Sequence, residues 1–326
     1  MSRQRQCGVA LLTVLLLVAV MSVVIVAVLD DIRFSQRRAG NAEAQAQAQW
    51  FALGAETLAA NQLQSLWRRD RQRTTLEGGW NGRTLAFPLE HGMLQAKVED
   101  ATACFNLNSV VEGAEEILQR RETGIRQFRS LAEAVSLPPA RAKALADALA
   151  DWIDSDDLPG EAGAEDASYL AAAQPYRTAG TLLAEVSELR AIRGFDATAY
   201  ERLRPHVCAL PTTAPTPVNL NTIAADDALQ LVALTEGRLS IQAARQAIAA
   251  RPGTGWADVA AFWGRPELAE SAPDDSVLAQ STLRSRYFTL IAQVHHLDAE
   301  VVMSSLLEID DAGRTRTHAR RWTHDE

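Results

Sequence analysis

The stretch GVALLTVLLLVAVMSVVIVAVLDD, Gly8–Asp31, decides how the rest of the chain is read. From Val9 to Leu29 it holds 21 residues without a charge. At about 1.5 Å per residue, these span a hydrocarbon core of roughly 30 Å as one helix. A short polar leader, Met1–Gly8, precedes it with Arg3 and Arg5, and Asp30 and Asp31 follow it. Basic residues hold a short flank in the cytoplasm, so the expected topology is a single pass, N-terminus inside and the remainder exported. A secretory signal has a shorter apolar core followed by a small-residue cleavage site. Asp30-Asp31-Ile32-Arg33 offers no such site, so the span is expected to remain as an anchor.

Outward from the membrane the helical pattern continues. Ala46, Trp50, Leu53, Thr57, Ala60, Leu63 and Trp67 recur at steps of three and four and predict one apolar stripe. The spacing predicts a single helix from Val9 to about Trp67, roughly 90 Å long, with Gly40-Asn41 as its weak point. Arg83–Glu90 and Met93–Asp100 then read as a hairpin about His91-Gly92. Tyr287–His296, Glu300–Asp310 and Thr315–Trp322 are strand-like again, with Asp311-Ala312-Gly313 as a turn. What lies between is helical in character, as in Ala140–Ile153, Thr198–Val207, Asp226–Thr235 and Ile241–Arg251. The expectation is an α+β chain: a long N-terminal helix, an antiparallel sheet built from both ends of the exported region, and a large inserted α-helical domain. Its divisions are a leader 1–8, a transmembrane segment 9–29, an exported helix 30–69, a first part of the sheet 70–109, the insertion 110–283 and the last part of the sheet 284–326.

At 326 residues the chain exceeds the usual single-domain length, consistent with such a composite. Its formal charge of −9 and pI near 5.3 argue against a surface built to neutralise phosphate backbones, so no nucleic acid partner is expected. The insertion contains an internal echo: Phe105-Asn106-Leu107-Asn108 returns as Val218-Asn219-Leu220-Asn221-Thr222, each before helical sequence. The second copy, with Leu229–Leu234 and Ile241–Ile248, resembles a helix-hairpin-helix unit. Such units hold DNA phosphates on the amides of a glycine-rich hairpin. Here the hairpin is Thr235-Glu236-Gly237-Arg238, with one glycine and an acidic residue, so packing is expected there rather than DNA binding.

Seven carboxylates crowd the segment Asp151–Asp166: Asp151, Asp154, Asp156, Asp157, Glu161, Glu165 and Asp166. Pro159, Gly160 and Gly163 turn the backbone among them. Like charges in a folded loop repel unless a cation compensates them, and a flexible, oxygen-rich loop suits calcium. The spacing departs from an EF-hand, since Leu158 and Pro159 stand where a ligand and the turning glycine belong. A solvated acidic helix end is the alternative. Of three cysteines, Cys7 lies in the leader. Cys104 and Cys208 form either a disulfide in an oxidising compartment or two buried thiols, and the disulfide is the expectation. The histidines show no metal-ligand spacing, and no nucleophile motif accompanies them, so no enzyme is expected. The pair His295-His296 reads as surface.

Several of these motifs, in their order along the chain, carry a family resemblance. They are Gly8-Val9-Ala10-Leu11-Leu12-Thr13, Phe51-Ala52-Leu53-Gly54-Ala55-Glu56, Phe105-Asn106-Leu107-Asn108, Asp151-Trp152-Ile153-Asp154 through Glu165-Asp166, Val186-Ser187-Glu188-Leu189-Arg190 with Gly194-Phe195, and Val218-Asn219-Leu220-Asn221-Thr222. Over most of its length the chain resembles the K component of type II secretion systems, the large minor pseudopilins. The resemblance implies a type IV pilin-like fold and cleavage between Gly8 and Val9 by a prepilin peptidase, with methylation of Val9. It implies anchorage in the inner membrane, then incorporation in the periplasmic pseudopilus for protein secretion, with minor pseudopilins I and J as partners. It also favours calcium at the acidic loop, where Asp154, Asp156, Asp157, Glu161, Glu165 and Asp166 are the candidate ligands. Most pilins carry a glutamate five residues into the mature chain that pairs with a neighbour's terminal amine, whereas this chain has Thr13. A carboxylate in the membrane is costly unless paired, and a subunit with no such amine to neutralise fits the first position, the tip. Two rival readings remain, a competence-type pilin that binds DNA through the helix-hairpin-helix-like segment and a membrane-tethered, calcium-dependent enzyme.

Overall fold

The computed structural model describes residues 6–114, 117–215 and 217–322, and the leader positions Arg3 and Arg5 lie outside them. Helix α1 runs unbroken from Gln6 to Arg69, 64 residues, straight through Gly40-Asn41. It begins with a stretch long and apolar enough to cross a membrane once. In the exported half the buried stripe is Ala44, Ala48, Ala52, Ala55, Ala59 and Leu63, while Trp50 is 68% exposed. That stripe is rotated from the expected one through Ala46, Trp50 and Thr57. The residues fully buried against the sheet are nearly all alanines, whose small side chains allow close packing, while Leu53 and Trp67 of the expected stripe pack only partly.

The sheet has five antiparallel strands: β1 (Thr84–Leu89), β2 (Gly92–Asp100), β3 (Tyr287–His296), β4 (Ala299–Ile309) and β5 (Thr315–Arg321). β2 pairs with β3, so the chain leaves the sheet after its second strand and returns to that strand's side. Gly92 permits this pairing, since a Cβ there would collide with the His295 carbonyl. One face of the sheet packs Leu94, Leu290, Ala292, Val294, Val301, Met303 and Leu307 against the alanines of α1. His296 also turns to this face, its ring 5.4 Å from that of Phe51. It is buried, not surface, and only His295 faces out. Glu56 pins the last two strands to the helix by accepting from Ser305 Oγ of β4 at 2.8 Å and from Thr317 Oγ1 and Arg320 Nη2 of β5 at 2.9 and 2.7 Å.

Between β2 and β3 the chain builds two units that repeat one closure. In the first, Phe105–Asn106 pairs in parallel with Val207–Cys208; in the second, Val218–Asn219 pairs in parallel with Ser281–Thr282. Each Asn-Leu-Asn motif works alike. Asn106 and Asn219 each accept the amide of the second asparagine. Asn108 then clamps Leu183 through its amide and carbonyl at 2.8 and 2.9 Å, and Asn221 does the same to Trp256 at 2.6 and 3.3 Å. The first unit contains α2 (Glu122–Ala134), α3 (Pro139–Ile153), α4 (Asp166–Leu170) and α5 (Ala197–Leu203) about Phe128, Leu131, Leu149 and Ile153. The second contains α6 (Leu229–Leu234) and α7 (Ile241–Ala249) about Leu220, Leu231, Trp256 and Phe262. The region is not helical throughout, for Val111–Ala114 and Ile117–Arg120 form a small hairpin. Asp100, at the end of β2, joins insertion to sheet by accepting from Thr222 Oγ1 at 2.5 Å and from Ser285 Oγ.

Candidate cation site

Helix α3 ends on a run of carboxylates whose spacing puts them on one side. Asp147 and Asp151 are one turn apart, and Asp154 follows the last turn. The loop 155–165 then doubles back over this side, because Gly160 and Ala164 donate their amides to Asp151 at 3.0 and 2.8 Å, and Ala162 donates to Asp147 at 3.2 Å. Glu165 is thereby delivered to Asp154. Oxygens of Asp151, Asp154 and Glu165 lie within 4.8 Å of one another. Asp154 is 2% exposed and Glu165 5%, and none of their four carboxylate oxygens has a hydrogen-bond partner.

Burial without partners drives both groups toward the neutral form. Loss of water, then the charges of Asp156 and Asp151, push the Asp154 carboxyl up to about 7. Loss of water, then Asp154 and Asp151, push Glu165 up to about 8. Two buried carboxylates facing each other with uncommitted lone pairs offer hard oxygen donors to a divalent cation, and such donors favour calcium over softer metals. The donor set therefore fits calcium, with Asp154 and Glu165 as the free ligands and further oxygens to come from backbone or water.

The other candidates are placed elsewhere. Asp156 accepts the Leu158 amide in an exposed turn, and Asp157 is exposed. Glu161 pairs with Lys143 at 2.9 Å, and Asp166 is occupied by Thr178 and Arg177 at 3.0 and 2.9 Å. Asp151, absent from the candidate set, stands beside the pair. Its spacing of three from Asp154 was the signal that could have found it.

Cys104 and Cys208 form a disulfide with Cα atoms 5.7 Å apart, inside the range such bonds require. It closes the first unit beside its parallel strand pair. Thr13 donates its hydroxyl to the Ala10 carbonyl at 2.9 Å, so it carries no unpaired polar atom into the membrane span. Gly8 and Val9 lie in the first turns of α1. The hairpin Thr235–Arg238 rests on α2, where Gln127 and Ser130 donate to the Leu234 and Val232 carbonyls and Arg126 pairs with Glu236 at 2.9 Å.

A membrane-length helix carried on into a spine for an antiparallel sheet, with a helical head inserted into that sheet, defines a pilin-like subunit of the minor, large-headed kind. Family models for type II secretion system protein K match residues 103–212 and 218–281, the two units of the head. The type II secretion system protein K of Klebsiella pneumoniae is 38% identical over 330 residues, covering 99% of both chains. That of Pectobacterium carotovorum is 35% identical over 311 residues, 94% of each. Among solved structures, the chain superimposes with a TM-score of 0.77 on the GspK-GspI-GspJ complex of the enterotoxigenic Escherichia coli type 2 secretion system. That match has 30% identity and covers 88% of this chain and all of the other. The chain belongs to the type II secretion system protein K family and is a minor pseudopilin of that pathway.

Proposed function

We propose that the chain sits at the tip of the pseudopilus, where it nucleates or caps assembly together with minor pseudopilins I and J. The observation that carries this reading is the likeness, over nearly the whole chain, to a structure in which the K, I and J proteins are assembled. Two features agree with it. The head occupies the stretch between Asp100 and Tyr287, bulk that a repeating shaft position would have to stack on its own copies. Thr13 leaves no carboxylate for a preceding subunit's amine.

On this reading a prepilin peptidase cuts between Gly8 and Val9, Val9 is methylated, the mature N-terminus stays at the cytoplasmic face of the inner membrane, and the head lies in the periplasm. Calcium held by Asp154 and Glu165 compensates their charge and fixes the loop 155–165 on α3, and the Cys104–Cys208 bond secures the same unit. The role is structural: the cation orders a surface and takes part in no reaction. The test is co-purification of the full-length chain, extracted in detergent, with its I and J counterparts. A complex of all three is expected; recovery of this chain without either partner would contradict the reading. Intact mass of the same sample should lack residues 1–8.

A further inference from the structure

Arg120 ends the small hairpin, and its guanidinium reaches beneath the loop that carries Glu165. Nη2 donates to Asp147 Oδ1 at 2.8 Å and Nη1 donates to Asp151 Oδ1. Asp147 is 6% exposed and Asp151 fully buried. Their remaining oxygens are taken by the loop amides of Gly160, Ala162 and Ala164, and Asp147 Oδ2 also accepts from Lys143 Nζ at 3.0 Å. The loop follows this arrangement so closely that a Cβ on Gly160 would stand 2.7 Å from Arg120 Nη1, and one on Gly163 would collide with Asp151 Oδ2. The hairpin is stitched in turn to the residue after Asp154, with Ser155 N donating to Leu118 O at 3.0 Å and Leu118 N to Ser155 Oγ at 3.1 Å.

We infer that Arg120, itself a cation, is the positioning residue of the cation site: it orients Asp151 and Asp147 so that the loop sets Glu165 against Asp154. Asp151 on this account supplies no free lone pair to the ion and serves as the peg on which the loop hangs. The inference rests on the reading of Asp154 and Glu165 as a calcium site. Charge and position make opposite demands here. By Coulomb repulsion alone, a fixed positive group beside the site weakens cation binding, so its removal should tighten binding. If Arg120 places the ligands, removal loosens binding despite the lost repulsion, and groups that orient ligands typically govern about 10–100-fold in metal affinity.

Calorimetric titration of calcium into the full-length chain in detergent decides between these. The wild-type chain is compared with Arg120→Gln, Arg120→Lys and Glu165→Gln, and circular dichroism in chelator verifies that each is folded. The expected result is binding by wild type, none by Glu165→Gln, about tenfold or more weaker binding by Arg120→Gln, and partial recovery with Arg120→Lys. Should Arg120→Gln lose its helical signal in chelator, Gly160→Ala, which displaces the guanidinium and keeps its charge, replaces it with the same expectation. Equal or tighter binding by the folded Arg120 or Gly160 variant overturns the inference and leaves the calcium site standing. Absence of binding by wild type overturns both.

Discussion

The two units of the head share a closure and differ in what stabilises them. Both begin on an Asn-Leu-Asn motif, both end on a parallel strand pair, and in both the second asparagine clamps a distant loop. Both pack aromatic rings edge-on, Trp256 and Trp263 against Phe262 at 5.7 and 5.2 Å in the second unit and Trp152 against Tyr169 at 5.2 Å in the first. The first also has to hold the long, largely irregular path from Asp154 to Asp196, and there it adds a disulfide, an arginine fork and the buried, facing carboxylates of Asp154 and Glu165. A stretch with little regular backbone bonding needs further ties, and the disulfide and the Arg120 fork supply them.

The largest way to break this comparison is to cut the covalent tie. Replacing Cys104 and Cys208 by serine opens a crosslink spanning 104 positions and should cost about 2–5 kcal/mol. The loss should fall on the first unit. Hydrogen exchange should show faster opening around α3 with the amides of α6 and α7 little changed; equal opening of both units would mean that they do not differ in this way.

Calcium sharpens the same contrast. Bound by the folded state alone, calcium at about a hundred times its Kd adds about 2.7 kcal/mol. Thermal melting with calcium and with chelator should therefore differ for the wild-type chain and coincide for Asp154→Asn. A calcium shift that survives the substitution would move the site elsewhere.

A smaller effect concerns pH. Asp154 and Glu165 titrate near 7 and 8 in the folded chain, above their ordinary range. A raised carboxyl contributes stability that is fully present below the unfolded value and lost as pH rises through the folded one. In chelator, then, the melting temperature should fall from about pH 5 to about pH 8. With calcium the fall should shrink, because the ion binds the deprotonated forms. The double variant Asp154→Asn with Glu165→Gln should show neither response, and a wild-type profile flat in chelator would contradict the buried, unpaired state of these groups.

Much of the fold was legible because its signals are local. Tyr287–His296 is read to the residue from its β-forming residue types, and the membrane helix from uninterrupted apolar length. The buried stripe of α1 was not, since a pattern reader weights Trp50 and Leu53 over alanines and only the nearness of the sheet reveals that alanine is the residue that fits. The pairing of Val111–Ala114 with Ile117–Arg120 was hidden by arms too short to alternate. At the site, composition pointed to the right loop. It did not tell which of seven carboxylates lose their water, because Asp166 and Glu161 are claimed by Arg177 and Lys143 from elsewhere in the fold. Arg120 lies 31 positions before Asp151, and no spacing rule reaches it.

The proposed position of this large-headed pseudopilin is the end of the pseudopilus rather than its shaft. Gold labelling of an epitope tag on an exposed loop of the head, imaged on pseudopili released from cells, tests it most directly. Label is expected at one end of each filament and none on the shaft. Label spaced regularly along the shaft would contradict it.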